Sequence, residues 1–158
     1  ATFELCGENF GDHRVRVPDI ESSVEPGESG RELISVLKDT GDRVFHEHRL
    51  SLNRQTLMWV DTQGHEGYVF KGFEKTMSSG EKPFVVCEFW PYGLERANGK
   101  DAFFEFIQQC ARVYDINHAS WKQQPQIGPA DLEKMYVRML EETRLGHYPH
   151  TDLLCVLR

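Results

Sequence analysis

The stretch "TLMWVDTQGHEGYVFKGF", residues 56–73, decides how the rest of the chain is read. Four apolar residues, Leu57 to Val60, run straight into Asp61, and Gln63, Gly64, His65 and Glu66 follow before apolar residues return. A short continuous apolar run is the pattern of a strand covered on both faces. Beyond it, Val69, Phe70, Phe73 and Met77 recur at helical spacing. The stretch therefore reads as strand, acidic turn and helix.

The same alternation continues downstream. "KPFVVCEF" is a second continuous apolar strand, opened by Pro83 and closed by Glu88 and an exposed "WPYG" turn. "DAFFEFIQQCARVY" reads as an amphipathic helix with Asp101 as its cap and Phe103, Ile107, Cys110 and Ala111 on the core stripe. "VYDIN" makes a third strand. "GPADLEKMYVRMLEETR" is the longest helix, with Pro129 near its start and Leu132, Met135, Tyr136, Met139 and Leu140 on one face. "TDLLCVLR" supplies a fourth strand. Strands alternating with helices predict an α/β fold with a largely parallel sheet, which binds ligands at the carboxyl ends of its strands.

Upstream, "ATFELC" and "HRVRV" alternate with period two across the turn-rich "GENFGD", so they are expected to pair as a β-hairpin. Residues 18–30, with Pro18, Pro26 and Gly27, read as loop. In "SGRELISVLKD", Ser29 and Glu32 have capping-box spacing, which predicts a short helix. "DRVFHEHRL" alternates again and predicts a strand with Val44, His46 and His48 on one face. The expected organisation is a single α/β domain over 1–158: hairpin, short helix and strand over 1–50, then strand–helix repeats over 51–158. Because "TFELC" already alternates at its first residues, the domain reads as incomplete at its amino terminus.

Composition sets outer bounds. A chain of 158 residues with 39% hydrophobic and 11% aromatic residues can bury a real core. Its net charge of −7 and pI near 5.5 argue against coating nucleic acid or an anionic membrane. No apolar run approaches the ~20 residues that a membrane span needs. Cys6, Cys87, Cys110 and Cys155 lie too far apart for a metal-binding pattern and read as buried free thiols. The expectation is a soluble, cytoplasmic protein.

The chemistry concentrates at the strand ends. If "TLMWV" and "FVVC" are parallel neighbours, their backbones run about 4.8 Å apart, which brings Asp61 and Glu88 to one mouth. Gln63, His65 and Glu66 crowd the same place, and Gly64 allows the tight turn. Such a group can orient a polar substrate, act as general acid or base, or hold Mg²⁺. Plainer roles fit as well, since Asp61 can cap the following helix and Glu66 can serve as a first-turn helix acid. No HExxH or similar pattern appears among the histidines, and no metal is assigned.

"WVDTQGHEGYVFKGF" followed by "PFVVCEFWP" resembles the hallmark segment of the FkbM-type methyltransferases: an apolar strand, Asp, a short linker, Gly, Glu, "xxLKG", and later a strand ending in Glu. "ENFGDHRVRV" is similar to the Asn-x-Gly segment that precedes this motif in the family. The resemblance implies a Rossmann-like fold, S-adenosylmethionine as methyl donor, and O-methylation of a sugar, glycan or natural-product hydroxyl. Matched by position, Asp61, Gly64 and Glu66 correspond to the acid, glycine and acid after the family's fourth strand, and Glu88 to the acid ending its fifth. Asp61, Glu66 and Glu88 then serve catalysis, Gln63, His65 and Trp90 touch the acceptor, and Asp61 and Gly64 meet the donor.

The Gly-rich turn that cradles the donor in that family has no counterpart here, so the resemblance implies the carboxyl-terminal half of the fold, equivalent to strands 4, 5, 7 and 6. In the family's order, 3-2-1-4-5-7-6, these four are contiguous. The strand "TLMWV" would then have an open edge through which the chain can pair with another copy. Two further readings stand beside this one: a non-catalytic Rossmann-like binding or association domain, and a Mg²⁺-dependent hydrolase or transferase using Asp61 and Glu88.

Overall fold

The computed structural model describes residues 1–7, 9–17, 31–117 and 126–158, which divide into two compact units, Ala1–Asp39 and Thr40–Arg158. The loop expected over 18–30, including the capping-box residue Ser29, and His118 lie outside the described residues.

The first unit is a three-stranded antiparallel sheet of order β2-β1-β3, from β1 (Thr2–Leu5), β2 (Arg14–Val15) and β3 (Glu32–Ser35). The expected hairpin is present, with Phe3 opposite Val15 and Glu4 opposite Arg14. Glu4 also accepts a 2.9 Å hydrogen bond from the Arg14 guanidinium, which is 4% exposed. The helix predicted around residues 32–37 is instead strand β3, paired along the whole of β1 from Thr2–Ser35 to Leu5–Glu32. An isolated turn of helix is costly to nucleate, whereas the open edge of β1 offers ready backbone partners.

The second unit holds a four-stranded sheet of order β4-β5-β7-β6: β4 (Leu57–Val60), β5 (Phe84–Phe89), β6 (Cys110–Asp115) and β7 (Thr151–Leu157). It is mixed rather than largely parallel: β4 and β5 are parallel, and β7 runs against both its neighbours. The chain beyond β6 explains the reversal. Ile127 N–H donates to Val113 O (2.9 Å), so the backbone has already doubled back beside β6 before α6 (Pro129–Arg144) begins. Helix α6 then leads toward Tyr148, whose ring meets Tyr92 just past the carboxyl end of β5 (5.2 Å), so β7 enters the sheet from that end.

Three other expectations change. Of the strand expected over 42–50, residues 42–47 instead belong to helix α1 (Gly41–Glu47); Thr40 caps it by accepting from Arg43 N–H. Asp42 in its first turn accepts from Thr76 N–H and Oγ1, both at 2.7 Å, and so ties α1 to the helix that follows Phe73. His46 and His48 therefore share no strand face. "WPYG" opens α4 (Pro91–Arg96), because a proline at the first helical position is already set for the helix. Finally, the helix expected over 101–114 stops early: α5 (Lys100–Ile107) ends before Gln108, Asp101 sits in its first turn behind the cap residue Gly99, and Cys110 starts β6.

Residues 65–77 form two helices, α2 (Glu66–Gly72) and α3 (Glu74–Ser78), divided at Phe73. Phe70 stacks on Phe106 of α5 at 3.6 Å, and Phe89 packs against Phe103 and Tyr136. The core thus sits between one face of the sheet, carrying Val60, Val85, Cys87, Phe89, Val113, Leu153 and Cys155, and the helices. All four cysteines are free and buried. Among the described residues no helix is long and apolar enough to cross a membrane.

Candidate functional site

Parallel pairing of β4 with β5, in register at Val60 and Cys87, brings the chain off the sheet beside Glu88. Asp61, Glu66 and Glu88 each contribute a carboxylate oxygen, and these three atoms lie within 4.8 Å of one another. Asp61 is exposed, whereas Glu66 is fully enclosed and Glu88 is 8% exposed. The acids thus span the boundary between core and solvent.

Glu66 organises the turn that follows β4. Its Oε1 accepts from Thr62 N–H (2.8 Å), Thr62 Oγ1 (3.1 Å) and Gly64 N–H (3.2 Å). Its Oε2 is buried and has no hydrogen-bond partner. The turn needs left-handed backbone at Gln63 (φ 55°) and Gly64 (φ 96°). A Cβ on Gly64 would lie 2.1 Å from Gly93 O, so close contact with α4 also requires glycine there. Arg96 of α4 donates to Gln63 O at 2.6 Å, which clamps the turn from the other side.

The Gln63 amide faces two of the acids, donating to Asp61 Oδ1 at 2.9 Å and to Glu88 Oε2 at 3.4 Å. Burial, then the neighbouring charges of Asp61, Glu66 and Asp152, push the Glu88 carboxyl up to about 8, and a hydrogen bond with Asp61 adds to the rise. Burial also raises Glu66, against the pull of the hydrogen bonds from its own backbone N–H, Thr62 and Gly64. Crowded carboxylates cannot all ionise cheaply, so a proton near neutral pH is held at Glu88.

Of the residues expected at the mouth, Asp61, Gln63, Gly64, Glu66 and Glu88 come together in the turn and beside it. His65 is the residue before α2; its side chain makes no capping hydrogen bond, and its ring lies 5.5 Å from that of Tyr68. Asp61 is therefore not the cap of that helix. Trp90 is 8% exposed, packs against Tyr92 (5.4 Å) and buries Nε1 without a hydrogen-bond partner.

Sequence reasoning missed Asp152, Thr62 and Arg96. Asp152 lies opposite Glu88 across the β5–β7 pair and adds a further acid to that end of the sheet. The alternation in "TDLLCVLR" could have found it, since Thr151, Leu153 and Cys155 form the buried row and Asp152 belongs to the other. Arg96 carried no local signal, because only the folding of α4 against the turn gives it Gln63 O as a partner. Set against protein-family models, curated proteins and solved structures, the chain matches none of them.

Proposed function

We propose that the four-stranded sheet is the acceptor side of an S-adenosylmethionine-dependent methyltransferase of Rossmann-like fold, acting on a sugar, glycan or natural-product hydroxyl. The observation that carries this reading is the strand order. In the family that residues 56–90 resemble, the last four strands lie in the order 4-5-7-6. Here the strands of the second unit lie β4-β5-β7-β6, with the Asp-x-x-Gly-x-Glu turn directly after the first of them.

S-adenosylmethionine supplies an electrophilic methyl group on a sulfonium centre. Anionic carboxylates suit both a cationic sulfonium and the proton of an attacking hydroxyl, so the acid-rich mouth is compatible with that chemistry. The chain contains no Gly-x-Gly, however, and a cradle for the donor's methionine part is not assigned to it. Within the mouth, exposed Asp61 receives the hydroxyl proton and Gln63 holds the hydroxyl in line. Glu66 keeps the turn closed while this happens.

The test is methyl transfer by the protein as expressed from its own gene, supplied with labelled donor and hydroxyl-rich small molecules and glycans. Donor-dependent label in an acceptor is expected, with Asp61→Asn reducing the rate by ~100-fold. No transfer to any hydroxyl, or transfer untouched by Asp61→Asn, rejects the reading. A second reading, a non-catalytic association domain, is favoured by β4, an edge strand with Leu57 and Trp59 57% and 61% exposed. Sedimentation separates the two: a dimer that Trp59→Thr dissociates, with no transferase activity, supports association alone.

A further inference from the structure

We propose that Asp61, Glu66 and Glu88 bind a hard divalent cation of the Mg²⁺ or Mn²⁺ kind. This goes beyond the methyltransferase reading and does not rest on it. The three carboxylates come from the turn after β4, the start of α2 and the end of β5, and their ligand atoms converge within 4.8 Å. Convergence from three elements onto one point is what a cation site requires. Oxygen ligands without thiolate or imidazole suit hard cations such as Mg²⁺ and Mn²⁺.

The second observation is the state of Glu66. This side chain is fully enclosed, its Oε1 is saturated by three donors from the turn, and its Oε2 is buried without a partner. A buried carboxylate oxygen left bare is costly, and nearly all such atoms in folded proteins are satisfied. A cation among the three acids offsets their mutual repulsion, and bound through Oε2 it supplies the partner that this oxygen lacks. The turn itself is held by Gly93 and Arg96, so the ligand positions exist before any ion arrives.

Gln63 completes the shell. Its amide already bridges Asp61 and Glu88, and rotating that amide turns the oxygen inward as a neutral ligand. Asp61 lies on the solvent side, which leaves room for the waters that Mg²⁺ retains or for a substrate oxygen in their place.

Mn²⁺ provides the probe, because its free-ion paramagnetic resonance signal falls on binding, with neither donor nor acceptor present. One Mn²⁺ per chain is expected, displaced by Mg²⁺. Asp61→Asn and Glu88→Gln should each weaken binding ~10-fold or more, and the double variant should abolish it. Asp131→Asn, an exposed acid on α6, should bind as the parent does. Circular dichroism of each variant confirms the fold; Glu66→Gln, which risks the turn, counts only if its spectrum is native. Absence of Mn²⁺ binding by the parent, or binding retained in the Asp61→Asn, Glu88→Gln double variant, overturns the proposal. Metal binding is read apart from methyl transfer, so either idea can fail alone.

Discussion

The two faces of the four-stranded sheet are built from the same strands and differ most where β4 and β5 begin. On one face Val85, Cys87, Phe89, Leu153 and Cys155 are fully buried beneath the helices. On the other, Leu57, Trp59 and Phe84 are 57%, 61% and 45% exposed, although Val86 beside Trp59 is 4% exposed, and Asp61, Glu88 and Asp152 belong to the same face. Side chains alternate along a strand, so each residue of β5 contributes to only one of these surfaces. One face is spent on stability; the other is apolar where β4 and β5 begin and acidic where they end and β7 starts. Of the site acids, Asp61 and Glu88 belong to the face opposite the helices, whereas Glu66 comes from a helix of the covered side.

The largest break in the comparison comes from the covered face. Phe103 is fully buried and packs against Phe89 and Phe104. Phe103→Ala leaves a cavity that neighbouring rings cannot fill, and should lower the unfolding free energy by about 4 kcal/mol in urea titration. A loss below about 1 kcal/mol would mean that the helices are not seated on this face.

The acidic end gives the next effect, and its sign is distinctive. Glu88 holds its proton up to about 8 in the folded chain, well above the ordinary value of 4.5. The folded state therefore binds a proton that the unfolded state has released. The stabilisation is complete below about 4.5 and is lost as pH rises through about 8. In chelator-treated buffer, stability should fall by a few kcal/mol across that window, and Glu88→Gln should flatten the fall. A stability that is level or rises over that window in the parent would show that the carboxylates do not crowd one another.

Much of this was legible beforehand, and the exceptions share a cause. The apolar runs of β5 and β7 and the face of α6 declared themselves, because burial dictates composition there. Asp61, Glu66 and Glu88 could be grouped from strand order alone. The readings that failed lay where local pattern was weak and a tertiary partner decided. Residues 32–35 joined β1 as a strand, and residues 41–47 became a helix through the Thr40 cap and the Asp42 bonds to Thr76. The direction of β7 was invisible for the same reason, since it depends on the return of the chain beside β6. The continuous apolar run of β4 misled in the opposite sense: it predicted cover on both faces, and Leu57 and Trp59 are bare.

That bare pair sets the smallest effect and the sharpest contrast. Trp59 has the largest side chain in β4, yet it is 61% exposed and lies outside the core cluster. Threonine keeps the strand preference of the position while removing the ring. Trp59→Thr should therefore change the unfolding free energy by no more than about 0.5 kcal/mol, against the several lost at Phe103. An aromatic ring half in water contributes little burial to lose, and its removal opens no cavity. A loss above about 2 kcal/mol in dilute solution would mean that the second face is covered in the folded protein. If that loss grows with protein concentration, the cover is another copy of the chain, because association linked to folding makes stability depend on concentration. If it does not, the cover comes from within the chain, and the two faces are alike after all.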